Sequence, residues 1–163
     1  LDAAIRTAVA LYAPAMPGEW GDNVLAELPE IDEGVRGERL VRALGRGLAA
    51  AVWELAPGSE GVPYHFHHGT EEYLIVLSGT ATLRTAEGER ELAAGSVAHF
   101  PTGPEGAHTV MNRGEEPVRY VMVAAHATPD IVEYPDEGTF AAMAKTPSQH
   151  GEQFFVRLPL PDA

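Results

Sequence analysis

The sequence predicts a single all-β domain, a barrel or sandwich, on three observations: its 163-residue length, its short apolar runs, and the glycine punctuation between them. A chain of this length can take roughly two thirds of its unfolded surface out of water, so one core suffices. There are no cysteines, which excludes disulfides and thiolate chemistry and leaves nitrogen and oxygen as the only metal donors.

In chain order, residues 2–12 read as a short amphipathic helix stopped by Pro14 and Pro17. A signal-peptide remnant is disfavoured there, because no basic region precedes the apolar section and Arg6 interrupts it. Residues 14–37 are rich in Pro, Gly and acids and read as an irregular arm wrapping a later core. Strands are expected at 40–44, 48–55, 63–67, 72–77, 80–85, 89–92, 97–100, 107–111 and 118–125. Ser78-Gly79, Glu87-Gly88, Ala94-Gly95 and Arg113-Gly114 each put a glycine where a turn needs positive φ, and predict a meander of neighbouring strands. "HATPDIVEYPDEG" contains too much proline for a central strand, 140–145 suggests a short helix, and "QFFVRLPL" suggests an edge strand. The organisation expected is therefore an N-terminal helix and arm (1–37), a β-barrel (38–126) and a C-terminal extension (127–163).

The formal charge is −13, with 24 acids against 11 bases and no basic block. Nucleic acid and anionic membrane are poor partners for such a surface, since both need clustered Lys and Arg. No apolar stretch approaches the ~18 residues of a membrane span. A soluble protein is expected.

The chemistry-bearing stretch is "HFHHGTEEYLIVLSG", residues 65–79. Alternation along a strand puts His65 and His67 on one face, with Phe66 and His68 on the other. A turn through "HHGT" then directs Glu72 inward, with Leu74 and Val76 following it, and Glu71 outward. A one-residue shift in that turn exchanges the two glutamates. A further ligand should come from a distant returning segment, and "GSVAHFPTGPEGAHTVMN" offers His108 and His99.

These residues resemble the cupins, small β-barrels marked by two motifs, G-x5-H-x-H-x3-4-E-x6-G and G-x5-P-x-G-x2-H-x3-N. His65, His67, Glu72 and Gly79 match the first motif, whose leading glycine is displaced: Gly58 lies one residue too far upstream and Gly61 two too near. Gly95, Pro101, Gly103, His108 and Asn112 match the second, with four residues rather than two between Gly103 and His108. The resemblance covers residues 40–126. The flanking stretches, "VEYPDEG" among them, look like those of bacterial single-domain cupins of the conserved-barrel type, a group of uncharacterised function.

The resemblance implies a double-stranded β-helix or jelly-roll barrel, metal ligands at His65, His67, Glu72 and His108, a cytoplasmic location and a homodimer. Open edge strands that need covering also favour the dimer. Three imidazoles and a carboxylate suit one divalent ion, Fe, Mn, Ni, Zn or Co. Leu74, Val76 and Val110 should form an apolar wall for a small-molecule ligand or substrate. Tyr64, Tyr73, Glu54, Arg84 and His99 are the available acid–base groups, each with strand surface or core packing as its ordinary role. His68 should face solvent, and His126 and His150 carry no assigned role.

The function expected is a metal-dependent enzyme on a small organic oxygen compound, with a dioxygenase placed ahead of a sugar isomerase or decarboxylase. Lys145 is the only lysine, and scattered arginines fit poorly with phosphate binding. The alternative is a non-catalytic small-molecule-binding or storage-type cupin.

Overall fold

A computed structural model describes residues 27–44, 48–125, 129–144 and 154–161. The expected helix at 2–12, most of the arm, His126 and His150 lie outside the described residues. The regular structure of the described chain is nearly all strand: β1 (Glu30–Asp32), β2 (Val35–Leu44), β3 (Leu48–Leu55), β4 (Phe66–His67), β5 (Glu71–Ser78), β6 (Thr80–Thr85), β7 (Gly88–Ala93), β8 (Val97–Phe100), β9 (His108–Met111), β10 (Val118–Ala125), β11 (Asp130–Tyr134), β12 (Thr139–Ala144) and β13 (Phe154–Pro159). No described helix is long and apolar enough to cross a membrane.

One layer is a six-stranded sheet in the order β1-β2-β3-β10-β5-β8. The other is built from two pieces, β7-β6-β9 and β13-β12-β11-β4. A bridge between His65 and His108 joins them, each amide N–H donating to the other residue's carbonyl at 3.0 and 2.9 Å. The seam of this second layer therefore runs through two of the expected ligands. Between the layers Leu55, Leu74, Val76, Leu83, Val110 and Val118 form the main core. Val132, Tyr134 and Ala141 form a smaller one under β11 and β12.

The jelly-roll architecture fits the all-β expectation, but the connectivity is not a simple meander. β5 pairs with β10 and β8, whereas β6 pairs with β7 and β9, so the Ser78-Gly79 turn carries the chain from one layer to the other. Ala94-Gly95 and Arg113-Gly114 also pass between layers, and among the four expected turns only Glu87-Gly88 closes a hairpin. Crossing lets consecutive strands bury one face each against the opposite sheet. Gly114 does not adopt positive φ; its N–H donates to Asn112 Oδ1 at 2.9 Å instead.

Two C-terminal expectations are corrected. Residues 130–134, read as too proline-rich for a central strand, form β11, which lies between β12 and β4. Pro129 and Pro135 bracket this strand instead of interrupting it, and Pro135 opens the 3-10 turn Pro135–Glu137. The helix expected at 140–145 is replaced by strand β12, paired with both β11 and β13. Ala141 is fully buried there, so sheet packing overrides the helix preference of an alanine-rich segment. β13 is an edge strand, as "QFFVRLPL" suggested. β2 also begins inside the expected arm, at Val35.

Candidate metal centre

His65 stands just before β4, His67 on it, Glu72 near the start of β5, and His108 opens β9. β5 alternates as its sequence demands: Glu72, Leu74 and Val76 are buried, while Glu71, Tyr73 and Ile75 are exposed. The inward glutamate is thus Glu72. The two extra residues before His108 are accommodated by a 3-10 turn at Pro104–Gly106. Gly106 is required in that turn, because a Cβ there would lie 1.8 Å from the Pro101 carbonyl oxygen. The Gly103 N–H donates to the His67 carbonyl at 2.7 Å, which ties this loop to β4.

The four side chains converge. His65, His67 and His108 place Nε2 at 3.8, 3.4 and 3.5 Å from Glu72 Oε2. The ligand atoms of His65, His67 and Glu72 all lie within 4.8 Å of one another, and all four residues are buried. Each imidazole is anchored from behind: Nδ1 donates to Pro63 O at 2.8 Å in His65, to Asp130 Oδ2 at 2.6 Å in His67, and to Gly106 O at 2.9 Å in His108. This fixes the tautomer and leaves each Nε2 lone pair aimed at the centre. Phe100 stacks on His108 with centroids 3.5 Å apart and holds that ring in place.

Within this cluster Glu72 Oε2 and His108 Nε2 are buried with no hydrogen-bond partner. Buried orphans of this kind cost free energy, and two acceptors facing each other are satisfied by a cation or a donor held between them. A divalent cation fits that donor set. Burial lowers the His108 pKa to about 3, with His65 adding to the effect and Glu72 opposing it. For Glu72, burial by itself would raise the pKa, but the surrounding imidazoles outweigh it and hold the carboxyl well below the usual range.

The centre opens on a cavity of about 90 Å³, walled largely by apolar side chains such as Trp53, Val62, Val110, Met122, Val132 and Met143. Val110 is there as expected. Leu74 and Val76 are not; they pack in the core beneath. Gly61 lets the Tyr120 hydroxyl approach, since a Cβ there would lie 2.9 Å from it. Burial raises the pKa of Tyr120, and of Tyr134, which also lines the cavity.

None of the five acid–base candidates read from the sequence lines this cavity. Tyr64 lies under the Arg84 guanidinium, Glu54 pairs with Arg119, and Tyr73 stacks on an exposed His99. His68 is exposed and bonded to Glu133. Sequence reasoning missed Asp130, Tyr120 and Tyr134. The alternation in "DIVEY" was the one available sign that this stretch could be a strand presenting Asp130, Val132 and Tyr134 on one face.

Residues 51–124 match the family model described as Cupin domain. No curated protein matches the chain. Among solved structures, a sugar phosphate isomerase of the cupin superfamily from Silicibacter pomeroyi is similar, with TM-score 0.68, 23% identity, and coverage of 78% of this chain and 77% of that one. A protein proposed to be a sugar phosphate isomerase from Acidithiobacillus ferrooxidans gives 0.64 and 28%, with 75% of each chain covered. A Cupin 2 conserved barrel domain protein from Salinispora arenicola gives 0.53 and 26%, covering 69% of this chain and 91% of that one.

Proposed function

We propose that the chain, whose residues 51–124 match the Cupin domain model, is a metal-dependent enzyme acting on a small organic oxygen compound, with His65, His67, Glu72 and His108 as the metal ligands. The observation that carries this reading is the convergence of three back-anchored imidazoles on one buried carboxylate oxygen at 3.4 to 3.8 Å. A divalent Fe, Mn, Ni, Zn or Co ion held there supplies Lewis-acid polarisation of a substrate oxygen or, for iron, activation of dioxygen.

The protein's own groups do the rest. Glu72 offsets part of the cation's charge in a buried site. The apolar wall keeps water from the reacting atoms and fits an apolar substrate body. Tyr120 and Tyr134, kept protonated by burial, are neutral hydrogen-bonding groups rather than bases. Among the described residues that line the cavity there is no Lys or Arg. The apolar lining favours a substrate without phosphate over the sugar phosphates named for similar structures. An apolar wall also suits dioxygen, which keeps a dioxygenase ahead of an isomerase or decarboxylase.

Elemental analysis followed by a turnover screen under air and under argon tests the reading. About one divalent ion per chain and turnover only in air are expected. Equal turnover under argon would select isomerase or decarboxylase chemistry. Metal-free protein that takes up no divalent ion would overturn the proposal.

A further inference from the structure

Each imidazole of the centre has its Nδ1–H fixed, but not in the same way. For His65 and His108 the acceptor is a backbone carbonyl two residues away, so these rings are oriented by their own loops. For His67 the acceptor is a carboxylate 63 residues away, Asp130, on the first residue of β11. Asp130 lies outside the 51–124 stretch that matches the family, and it is only 4% exposed.

Its two oxygens collect three donors from the turn that separates the ligands. Oδ2 accepts from His67 Nδ1 at 2.6 Å and from Thr70 Oγ1 at 2.7 Å; Oδ1 accepts from the Gly69 N–H at 2.9 Å. The pairing of β11 with β4, which places Val132 opposite His67, brings the carboxylate to that position. One clamp thus spans the turn from the second histidine to within two residues of Glu72.

We propose that Asp130 is the positioning residue of the metal centre: it orients His67 and the turn leading to Glu72, and so sets how tightly the site holds its ion. This rests on the metal reading above. A charged acceptor on Nδ1–H holds a ring more firmly than a carbonyl and makes Nε2 a stronger donor. Charge balance favours the same residue, because two buried carboxylates, Glu72 and Asp130, match the charge of one divalent cation. The C-terminal strands therefore complete a site whose ligands all precede them.

The test uses the full chain, stripped of metal and titrated with Co(II) against a chelator, with the Co(II) visible absorption as a second readout. For Asp130→Asn, affinity should fall about 10- to 100-fold, the usual cost of losing a ligand's supporting partner, and the absorption band should shift. Thr70→Val removes a hydrogen bond to the same carboxylate and leaves its charge; affinity should stay within about 3-fold and the band should not move. If Asp130→Asn does not fold, Asp130→Ser, which leaves room for a water, carries the same expectations.

Wild-type affinity and spectrum in the Asp130 variant would overturn the proposal. So would equal losses for Asp130→Asn and Thr70→Val, which would make the cluster mere packing. A wild-type chain that binds no Co(II) would overturn the metal reading itself, a separate outcome visible before any variant is made.

Discussion

β5 carries a histidine–glutamate cluster on each face, and the two differ by one residue in sequence and completely in surroundings. On the inner face Glu72 Oε2 meets three imidazoles at 3.4 to 3.8 Å. On the outer face Glu71 meets His99 at 3.5 Å, with Tyr73 stacked on the histidine. The separations are alike. The inner side chains are under a tenth exposed, while His99 and Glu71 are about half exposed at 44% and 50%. Water can complete the hydrogen bonding of the outer pair, whose mutual attraction is worth little. The inner cluster instead leaves two buried atoms, Glu72 Oε2 and His108 Nε2, without a hydrogen-bond partner, and a cation would satisfy both. Residue type and distance therefore do not single out a candidate metal site; burial, and anchors that commit each Nδ1, do.

The largest expected effect breaks the inner cluster. Replacing His67 or His108 by Ala should take the metal content from about one ion per chain to near zero by elemental analysis. His99→Ala should retain all of it. Metal retained in both inner variants would mean that the ion, if bound, sits elsewhere.

The carboxylates come next. Glu72→Gln keeps the volume and one oxygen donor but removes the charge, so metal affinity should weaken roughly tenfold and turnover should fall further. Glu71→Gln should leave both unchanged. The opposite pattern would shift the register of β5 by one residue and turn Tyr73, Ile75 and Leu77 inward.

Acid should sharpen the contrast in metal-free protein. His108 takes up its proton only near pH 3 in the folded chain, against about 6.5 in an unfolded one. Between those values the unfolded state binds the extra proton, so stability rises with pH and is lost as pH falls from 6.5 toward 3. Glu72 acts in the same direction below the usual carboxylate range, since its pKa is also lowered by folding. Urea unfolding at pH 7, 6 and 5 should show this decline, at up to about 1.4 kcal/mol per pH unit for one proton. A His108→Gln variant should flatten the curve.

His65, His67 and Glu72 were legible in the sequence because their geometry is local and periodic, whereas His108 was singled out only by the resemblance of its segment to the second cupin motif. His65 and His67 alternate with Phe66, the short turn to β5 is fixed in length, and the strands 48–55, 80–85, 97–100 and 118–125 appear with the bounds their apolar runs predict. What the sequence concealed depends on contacts between distant segments. Asp130 acquires meaning only when β11 docks on β4, and nothing near it in the chain announces a histidine 63 residues earlier. The prolines on either side of β11 look like strand breakers until the structure shows them at its ends. Residues 139–144 lack β-branched residues beyond Thr139, and only the neighbours on both sides make them a strand.

The smallest expected effect carries the inside–outside comparison to β11, where the sequence was misread. Val132 is 1% exposed, belongs to the small core with Tyr134 and Ala141, and faces the cavity; Ile131, its neighbour, is 42% exposed. Removing two buried carbon atoms from Val132 costs their transfer free energy plus a share for the space left behind, so Val132→Ala should destabilise by about 2 kcal/mol. Ile131→Ala deletes more carbon from a surface position and should cost under about 1 kcal/mol. The order of the two penalties is the informative quantity, because residue size alone predicts the reverse. If chemical denaturation shows Ile131→Ala to be the more costly change, β11 presents its other face to the barrel. Asp130, on the same face as Val132, would then be turned away from His67, and the clamp on the metal centre would be lost with it.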